Sequence, residues 1–189
     1  MLIPDLEVAL DIGAKLEELG VPWVIVGSVA SSVLGEPRAT ADVDLVADLR
    51  GIHVNAFCAA VAVAYYVDED TARWAASTRR SFNVIHQETM TKIDVFCCKD
   101  DPLSRAQLTR RIVAQIADDR TAPLLAPEDV ILQKLLWMEE LGGSDQQWRD
   151  ALGVVRVRWD SLDRDYLEQQ ARDNGLLELL TKLLAAREI

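Results

Sequence analysis

The chain has 189 residues, half of them hydrophobic, and a formal net charge of −11. It has enough apolar residues for a buried core, and no apolar run approaches the ~20 residues of a transmembrane helix. The negative charge excludes a general polyanion-binding protein, because long-range repulsion opposes phosphate backbones. The N-terminus carries early acidic residues and does not resemble a signal peptide, so we expect a cytoplasmic protein without a membrane partner.

The first quarter of the chain alternates helical and extended patterns. Apolar spacing predicts a helix, a buried strand and a short helix, at Leu6–Leu19, Val21–Val26 and Val29–Leu34. Gly27 and Ser28 stand directly between the strand and the second helix. Glycine permits close approach of a ligand to the backbone or a positive φ, and the start of a helix offers free N–H donors. We therefore expect a phosphate site here, with a plain strand-to-helix turn as the alternative.

The middle of the chain is rich in strand patterns. Strands are predicted at Asp42–Val46, Tyr65–Val67, Phe82–His86, Lys92–Cys97, Arg111–Ala117 and Pro123–Leu125. A helix and a helical turn are predicted at His53–Ala64 and Arg73–Thr78.

The chain becomes all-helical after Ala126. Helices are predicted at Val130–Leu141, around Trp148–Val155, at Leu162–Ala171 and at Leu176–Ala186. Pro127 and the acids after it suit a first helical turn, and Ser144 or Asp145 can cap the next helix. We therefore place an α/β part at residues 1–125 and a helical part at 126–189.

Two acidic residues in the predicted strand Asp42–Val46 are the first candidates for chemistry. Asp42 and Asp44 project from the same side of a strand, roughly 6–7 Å apart. A divalent metal would relieve the repulsion between two such carboxylates, and magnesium prefers oxygen ligands. Acid and aliphatic residues also alternate on ordinary surface strands, so the pair alone decides nothing.

Three further residues strengthen this hypothesis. Arg38 and Thr40 have the same parity as Asp42, so an extended chain turns them the same way; either can contact a phosphate, and Thr40 can instead orient Asp42. An Arg38 that only neutralises the aspartates is the alternative. Asp94 lies between buried-type residues of a predicted strand, where a carboxylate needs a partner or a metal. If the two acidic strands are neighbours, three carboxylates meet and can hold two Mg²⁺ ions for attack on a phosphate, with Asp94 as general base.

The order Gly27-Ser28, Arg38-x-Thr40-x-Asp42-x-Asp44 and then Asp94 resembles the DNA polymerase β-like nucleotidyltransferase superfamily. It looks closest to small bacterial proteins related to abortive-infection (AbiEii-type) nucleotidyltransferase toxins, on the strength of residues 82–86, Ala126–Asp129, Lys134 and Arg149-Asp150. The resemblance covers about residues 20–155.

The resemblance implies an α+β fold (α/β in its first part), with a mixed sheet flanked by helices and a small C-terminal helical bundle. It also implies catalysis by a metal site of Asp42, Asp44 and Asp94, with Mg²⁺ (two ions, or Mn²⁺ as a substitute). Lys134 would reach the nucleotide together with the residues at 27, 28, 38 and 40, and Asp150 would support the site. For Lys134, a solvated lysine on an amphipathic helix is the alternative.

The expected reaction moves a nucleoside monophosphate from a nucleoside triphosphate to a hydroxyl. The acceptor can be a tRNA 3′ end, a protein or a small molecule, and an antitoxin is a further possible partner. A non-catalytic nucleotide-binding or toxin–antitoxin module with the same fold is the alternative function. The other candidates are weaker: Arg79–Arg80 and Arg110–Arg111 form a basic patch or a solvated face. Cys58, Cys97 and Cys98 lack zinc spacing and are expected to be reduced and mostly buried.

Overall fold

The computed structural model describes residues 4–40, 42–117, 119–140 and 142–188. The chain forms two compact units. The first, the sheet unit, contains Met1–Val26 and Thr40–Leu124, and the second, the helical unit, contains Gly27–Ala39 and Leu125–Ile189. The expected boundary after residue 125 lies one residue from the break at 124/125, and the segment 27–39 goes with the helical unit.

The helices in the described ranges are α1 (Pro4–Glu18), α2 (Gly27–Leu34), α3 (Gly51–Val61), α4 (Glu69–Thr78), α5 (Pro102–Thr109), α6 (Pro127–Glu140), α7 (Asp145–Arg158), α8 (Arg164–Asp173) and α9 (Leu177–Ala185). The strands there are β1 (Trp23–Val26), β2 (Val43–Ala47), β3 (Tyr65–Tyr66), β4 (Ser81–His86), β5 (Lys92–Cys97), β6 (Ile112–Ala117) and β7 (Arg120–Leu124). None of these helices is long and apolar enough to cross a membrane.

Within the described ranges, the sheet unit is built on one seven-stranded sheet in the order β3-β4-β5-β2-β1-β7-β6. The pairs β2–β5 and β1–β7 are parallel and the other neighbours are antiparallel, so the sheet is mixed. Central β1 is buried at every position, whereas β2 and β5 alternate buried and half-buried residues. This alternation gives β2 and β5 one face for the core and one for polar side chains. The predicted α+β fold with a mixed sheet is confirmed.

Two helices of the sheet unit differ from the sequence prediction. Only a helical turn was expected at Arg73–Thr78, but α4 begins at Glu69 because the Asp68 side chain accepts a hydrogen bond from the Thr71 amide and caps it. Helix α5 was not predicted at all. Its start carries a capping Asp101 followed by a proline, but it buries only Leu103 and Leu108, so its apolar periodicity is weak.

The helical unit packs α6 and α7 against α2, α8 and α9. Helix α6 is buried from Glu128 to Leu135, including its polar residues. The two acids at its start, expected as ordinary helix-start residues, accept hydrogen bonds: Glu128 Oε1 from the Asp163 amide (2.8 Å) and Asp129 Oδ1 from the Tyr166 hydroxyl (2.8 Å). These bonds fix the start of α8 against α6. Helix α6 ends at Glu140 and Leu141, its predicted last residue, lies outside the described residues.

The cysteines follow the sequence expectation. Cys97 and Cys98 are buried and Cys58 is half-buried, and all three are free thiols. Burial raises the pKa of Cys97 to about 11 and that of Cys98 to about 12. Because the thiolate is the reactive form, burial leaves these two side chains as packing residues.

Candidate active site

Two of the predicted carboxylates lie opposite each other in the sheet unit. Asp44 of β2 and Asp94 of β5 are register partners in the parallel pair, and both are half-buried while their strand neighbours are buried. Residues that pair across neighbouring strands project from the same face, with the strands about 4.8 Å apart. The predicted meeting of the two acidic strands is therefore observed.

Asp42 lies just outside the strand that was predicted to contain it. Strand β2 begins at Val43, and Asp42 is an exposed residue immediately before it. The Thr40 hydroxyl donates to the backbone carbonyl of Asp42 (3.3 Å), so Thr40 contacts the main chain of Asp42 and not its carboxylate. The strand begins late because Asp42 is exposed, which leaves its backbone free of the pairing that starts at Val43 and Ile93.

A lysine lies among the three acids, and sequence reasoning gave it no role. Lys92 Nζ donates to Asp94 Oδ2 at 2.9 Å. This hydrogen bond raises the pKa of Lys92 above its usual value, against the opposing effect of burial. The negative charges of Asp42 and Asp44 raise it further. The three carboxylates thus share one electrostatic neighbourhood, and the identical parity of Lys92 and Asp94 was the signal that the sequence offered.

The carboxylate face extends across neighbouring strands. Asn83 of β4 is the register partner of Asp94, and Val26 of β1 is the partner of Asp44. Because Val26 is the last residue of β1, the chain leaves the sheet beside Asp44 and continues directly into Gly27. The face therefore presents an amide beside two carboxylates, and a buried aliphatic residue closes the row.

The donor set suits a hard divalent cation, since carboxylate oxygens are the ligands that magnesium prefers. As the side chains stand, however, no group of three or more His, Cys, Asp and Glu residues in the described part of the chain is arranged to hold a metal ion. One oxygen of Asp94 is engaged by the Lys92 ammonium. A metal would have to replace that ammonium as the cation beside Asp94.

The basic residues predicted for the nucleotide form a separate network in the helical unit. Arg38 donates to both oxygens of Asp150 through Nε (2.8 Å) and Nη2 (3.0 Å), and Lys134 Nζ donates to Asp150 Oδ2 at 2.7 Å. Arg38 Nη2 also donates to the Ser28 hydroxyl at 2.6 Å. Arg38 therefore pairs with Asp150, which the sequence had named only as a supporting residue.

Lys134 is not a solvated lysine, so that alternative is wrong. Its side chain is 1% exposed, and its ammonium lies 5.6 Å from the centre of the Trp137 ring. A buried lysine needs a counter-charge, and Asp150 provides it. The aliphatic neighbours of Lys134 in α6 gave no indication of its burial, because a helix that is covered on all sides has no polar face.

Asp150 is the centre of this network. Burial raises its pKa, but hydrogen bonds from Arg38, Lys134 and Gln146 outweigh burial and lower the pKa from its usual value to about 2. The carboxylate is therefore ionised at neutral pH and holds two cationic side chains at the start of α2 and in α6. The charges of Arg38 and Lys134 are partly compensated, which leaves Arg38, with a third of its side chain exposed, as the accessible cation.

The junction at Gly27 has the backbone that the sequence suggested. Gly27 adopts a positive φ of 64°, which glycine tolerates best, and starts α2. Its amide donates to Gln133 Oε1 at 3.1 Å, so this N–H is already paired. Ser28, in contrast, is half-buried and its hydroxyl contacts Arg38. Gln133 was not singled out in the sequence, since a glutamine on a helix has no distinguishing pattern.

The predicted basic clusters are engaged elsewhere. Arg79 Nε donates to Asp100 Oδ2 at 2.9 Å, and Arg111 Nη1 donates to the Leu108 carbonyl at 2.6 Å. These contacts stabilise local structure and supply no separate phosphate site.

Known structures identify the fold. Two matches are a nucleotidyltransferase-like antigen from Paracoccidioides brasiliensis (18% identity, TM-score 0.57, 97% of this chain and 93% of that chain) and the lincosamide antibiotic adenylyltransferase LnuA with lincomycin (14%, 0.52, 82% and 96%). A third is ANT(2″)-Ia in complex with adenylyl-2″-tobramycin (17%, 0.57, 88% and 94%). Neither a protein-family model nor a curated protein sequence matches this chain. The chain has a nucleotidyltransferase fold, and at these identities the likeness extends to the fold alone.

Proposed function

We propose that this protein transfers a nucleoside monophosphate from a nucleoside triphosphate to a hydroxyl acceptor. The observation that carries the proposal is the pairing of Asp44 with Asp94 across β2 and β5, with Asp42 directly before β2. The nucleotidyltransferase fold agrees with it, and the fold neighbours named for adenylyl transfer to lincosamides and tobramycin provide the precedent.

The reaction assigns a role to each carboxylate. The acceptor oxygen attacks the α-phosphorus, the bond from that phosphorus to the bridging oxygen breaks, and pyrophosphate leaves with the bonding electron pair. Asp94 takes the proton of the acceptor hydroxyl, which passes to solvent as the carboxylate is regenerated. Asp42, Asp44 and Asp94 would hold Mg²⁺, in two ions or with Mn²⁺ as a substitute, and the metal would neutralise charge on the phosphates.

We assign Gly27, Ser28, Arg38, Thr40 and Lys134 to the nucleotide, as the superfamily resemblance implies. The contacts within the helical unit define this assignment more narrowly. Arg38 and Ser28 have exposed surface and can donate to a phosphate. Lys134 would act through Asp150, by holding the carboxylate that positions Arg38.

The test is a labelled-transfer assay with the full chain. Each of the four nucleoside triphosphates, labelled at the α-phosphate, is incubated with Mg²⁺ and separately with total RNA, cell protein and a panel of small hydroxylated compounds. We expect one acceptor class to become labelled. Triphosphate binding without transfer to any of these acceptors would contradict the proposal and support the non-catalytic module. Labelling of tRNA or protein would favour the AbiEii-type relationship, which stays a prediction.

A further inference from the structure

A small cavity lies beside the carboxylate face of the sheet unit. Its volume is about 170 Å³, and it is lined by Tyr66, Asp68, Thr71, Phe82, Asn83 and Ile85. Pockets for drug-sized ligands usually exceed about 300 Å³. The cavity therefore has room for a single ring with its substituents and not for a nucleotide or a larger compound.

The strand register connects this cavity to the acidic residues. Asn83 and Ile85 of β4 pair with Asp94 and Lys92 of β5, and Tyr66 of β3 pairs with Ile85. Paired residues project from the same face, so these cavity residues lie on the face that carries Asp94. A ring bound in the cavity is one strand away from the proposed general base.

The lining favours one chemical class of ligand. The Tyr66 side chain is an exposed aromatic surface (58%), which suits stacking against a sugar ring or a cation. The hydrogen bonds that Asp68 accepts from Thr71 lower the pKa of Asp68, so its carboxylate is ionised at neutral pH. Asn83 and Thr71 add groups that both donate and accept hydrogen bonds. None of the six lining residues is basic, so nothing in the lining balances the negative charge of an anionic ligand.

We infer that this cavity is the acceptor subsite and that it binds one amino-sugar ring of a cationic, polyhydroxylated small molecule. The inference rests on the proposed function, because it gives the transferred nucleotide an acceptor. It also selects among acceptors: the cavity is too small for a folded RNA end, and the net charge of −11 opposes a polyanion.

Binding can be measured without nucleotide or metal. The full ¹⁵N-labelled chain is titrated with glucosamine, and a single ring of this size is expected to bind with a Kd on the order of 1–10 mM. We expect shifts of the amide signals of Tyr66, Thr71 and Asn83. Neutral N-acetylglucosamine is expected to bind more weakly, and anionic glucose 6-phosphate is expected to cause no shifts at these amides.

Two variants locate the ligand in the cavity. Asp68→Asn removes the charge but keeps a good helix cap, and we expect glucosamine binding to weaken roughly three- to fivefold. Tyr66→Ala removes the stacking surface and is expected to weaken binding about threefold. The matched control is Asp163→Asn, which makes the same change at the cap of α8, where Asp163 accepts from the Tyr166 amide. We expect this control to bind glucosamine like the unmodified chain.

The outcomes separate this inference from the proposed function. Glucosamine binding that Asp68→Asn weakens and Asp163→Asn does not would support the subsite even if no nucleotide is transferred. No shift at the cavity amides, equal shifts with glucose 6-phosphate, or binding that both cavity variants retain would overturn it. Transfer to RNA or protein with unchanged rates in the cavity variants would also overturn the subsite while leaving the proposed function intact.

Discussion

Lys92 is the side chain whose place among the acids has the clearest consequence at the residue scale. It provides a positive charge next to Asp94 and within the field of Asp42 and Asp44. The folded chain can therefore hold three carboxylates together before any metal binds. The same ammonium competes with an incoming cation for Asp94.

Replacing Lys92 with methionine should therefore strengthen magnesium binding. Lys92→Met removes the competing charge and keeps an unbranched side chain, and we expect Mg²⁺ to bind roughly tenfold more tightly. Calorimetric titration with MgCl₂ alone measures this. Lys182→Met, which breaks an exposed pair with Glu178 in α9, is the control. Magnesium affinity that is equal or weaker in Lys92→Met would contradict the competition.

Asp150 makes stability depend on pH in the acid range. Its pKa is about 2 in the folded chain and 3.8 ordinarily, so the folded state binds the proton less readily than the unfolded state. The stabilisation is complete above about pH 4 and is lost as the pH falls towards 2, and it amounts to about 2 kcal/mol. Denaturant unfolding at several pH values should show this loss. In Asp150→Asn this part of the pH dependence should disappear, and an unchanged profile would show that another carboxylate causes it.

At the scale of elements, the network around Asp150 connects α6 and α7 to the segment that follows α2. Asp150 serves Arg38, Lys134 and Gln146, whereas Lys134 has the single acidic partner Asp150 among its printed ion pairs. Removing the acid thus affects two cations at once. Removing the lysine leaves the acid with Arg38 and Gln146.

We expect unequal losses of stability from the two sides of this pair. Asp150→Asn leaves the buried Lys134 ammonium without its carboxylate and should cost about 3–5 kcal/mol. Lys134→Met should cost less, since Asp150 keeps its other donors. The free energy of unfolding from urea titration gives both values. Glu178→Gln, at an exposed pair, should change it by less than about 0.5 kcal/mol. A larger loss from Lys134→Met than from Asp150→Asn would contradict this picture of the network.

The contact between the end of α2 and α7 depends on a residue without a side chain. A Cβ at Gly35 would lie 2.6 Å from the backbone nitrogen of Val154 and 2.8 Å from the carbonyl carbon of Gly153. Backbone atoms of a packed helix cannot move aside as a flexible side chain can. The close approach of these two helices therefore requires glycine.

Gly35→Ala should destabilise the chain by about 1–3 kcal/mol, because the two helices must separate or distort. Gly51→Ala, where a Cβ meets nothing within 4 Å, should remain within about 0.5 kcal/mol of the unmodified chain. Thermal unfolding followed by circular dichroism compares the two. Equal melting temperatures would show that the α2–α7 contact can relax.

At the scale of the whole molecule, local pattern predicts most elements and the order of the acidic residues. The alternation in β2 and β5 and the helical spacing after Ala126 are local, so they predict the strands and the C-terminal helices. The pairing of Asp44 with Asp94 depends on strand order, which sequence alone left conditional. The partners of Arg38 and Lys134 were also beyond reach, because Asp150 meets them only after three helices pack.

The division of the chain shows the same limit. Residues 27–39 follow β1 in sequence, yet they belong to the helical unit because α2 packs on α6 and α7. No composition change marks this excursion, whereas the change after Ala126 is visible. A boundary that the chain crosses more than once requires knowledge of packing.

The most direct measurement of the central claim is the rate of nucleotide transfer by Asp44→Asn and Asp94→Asn, with Mg²⁺, a labelled triphosphate and the acceptor found by the screen. Asp165→Asn, an exposed residue of α8, is the matched control. If the paired carboxylates carry the chemistry, each site variant should lose at least about a hundredfold in rate while keeping its fold and melting behaviour, and the control should retain full activity. Transfer rates in Asp44→Asn and Asp94→Asn equal to that of the control would contradict the assignment of the active site.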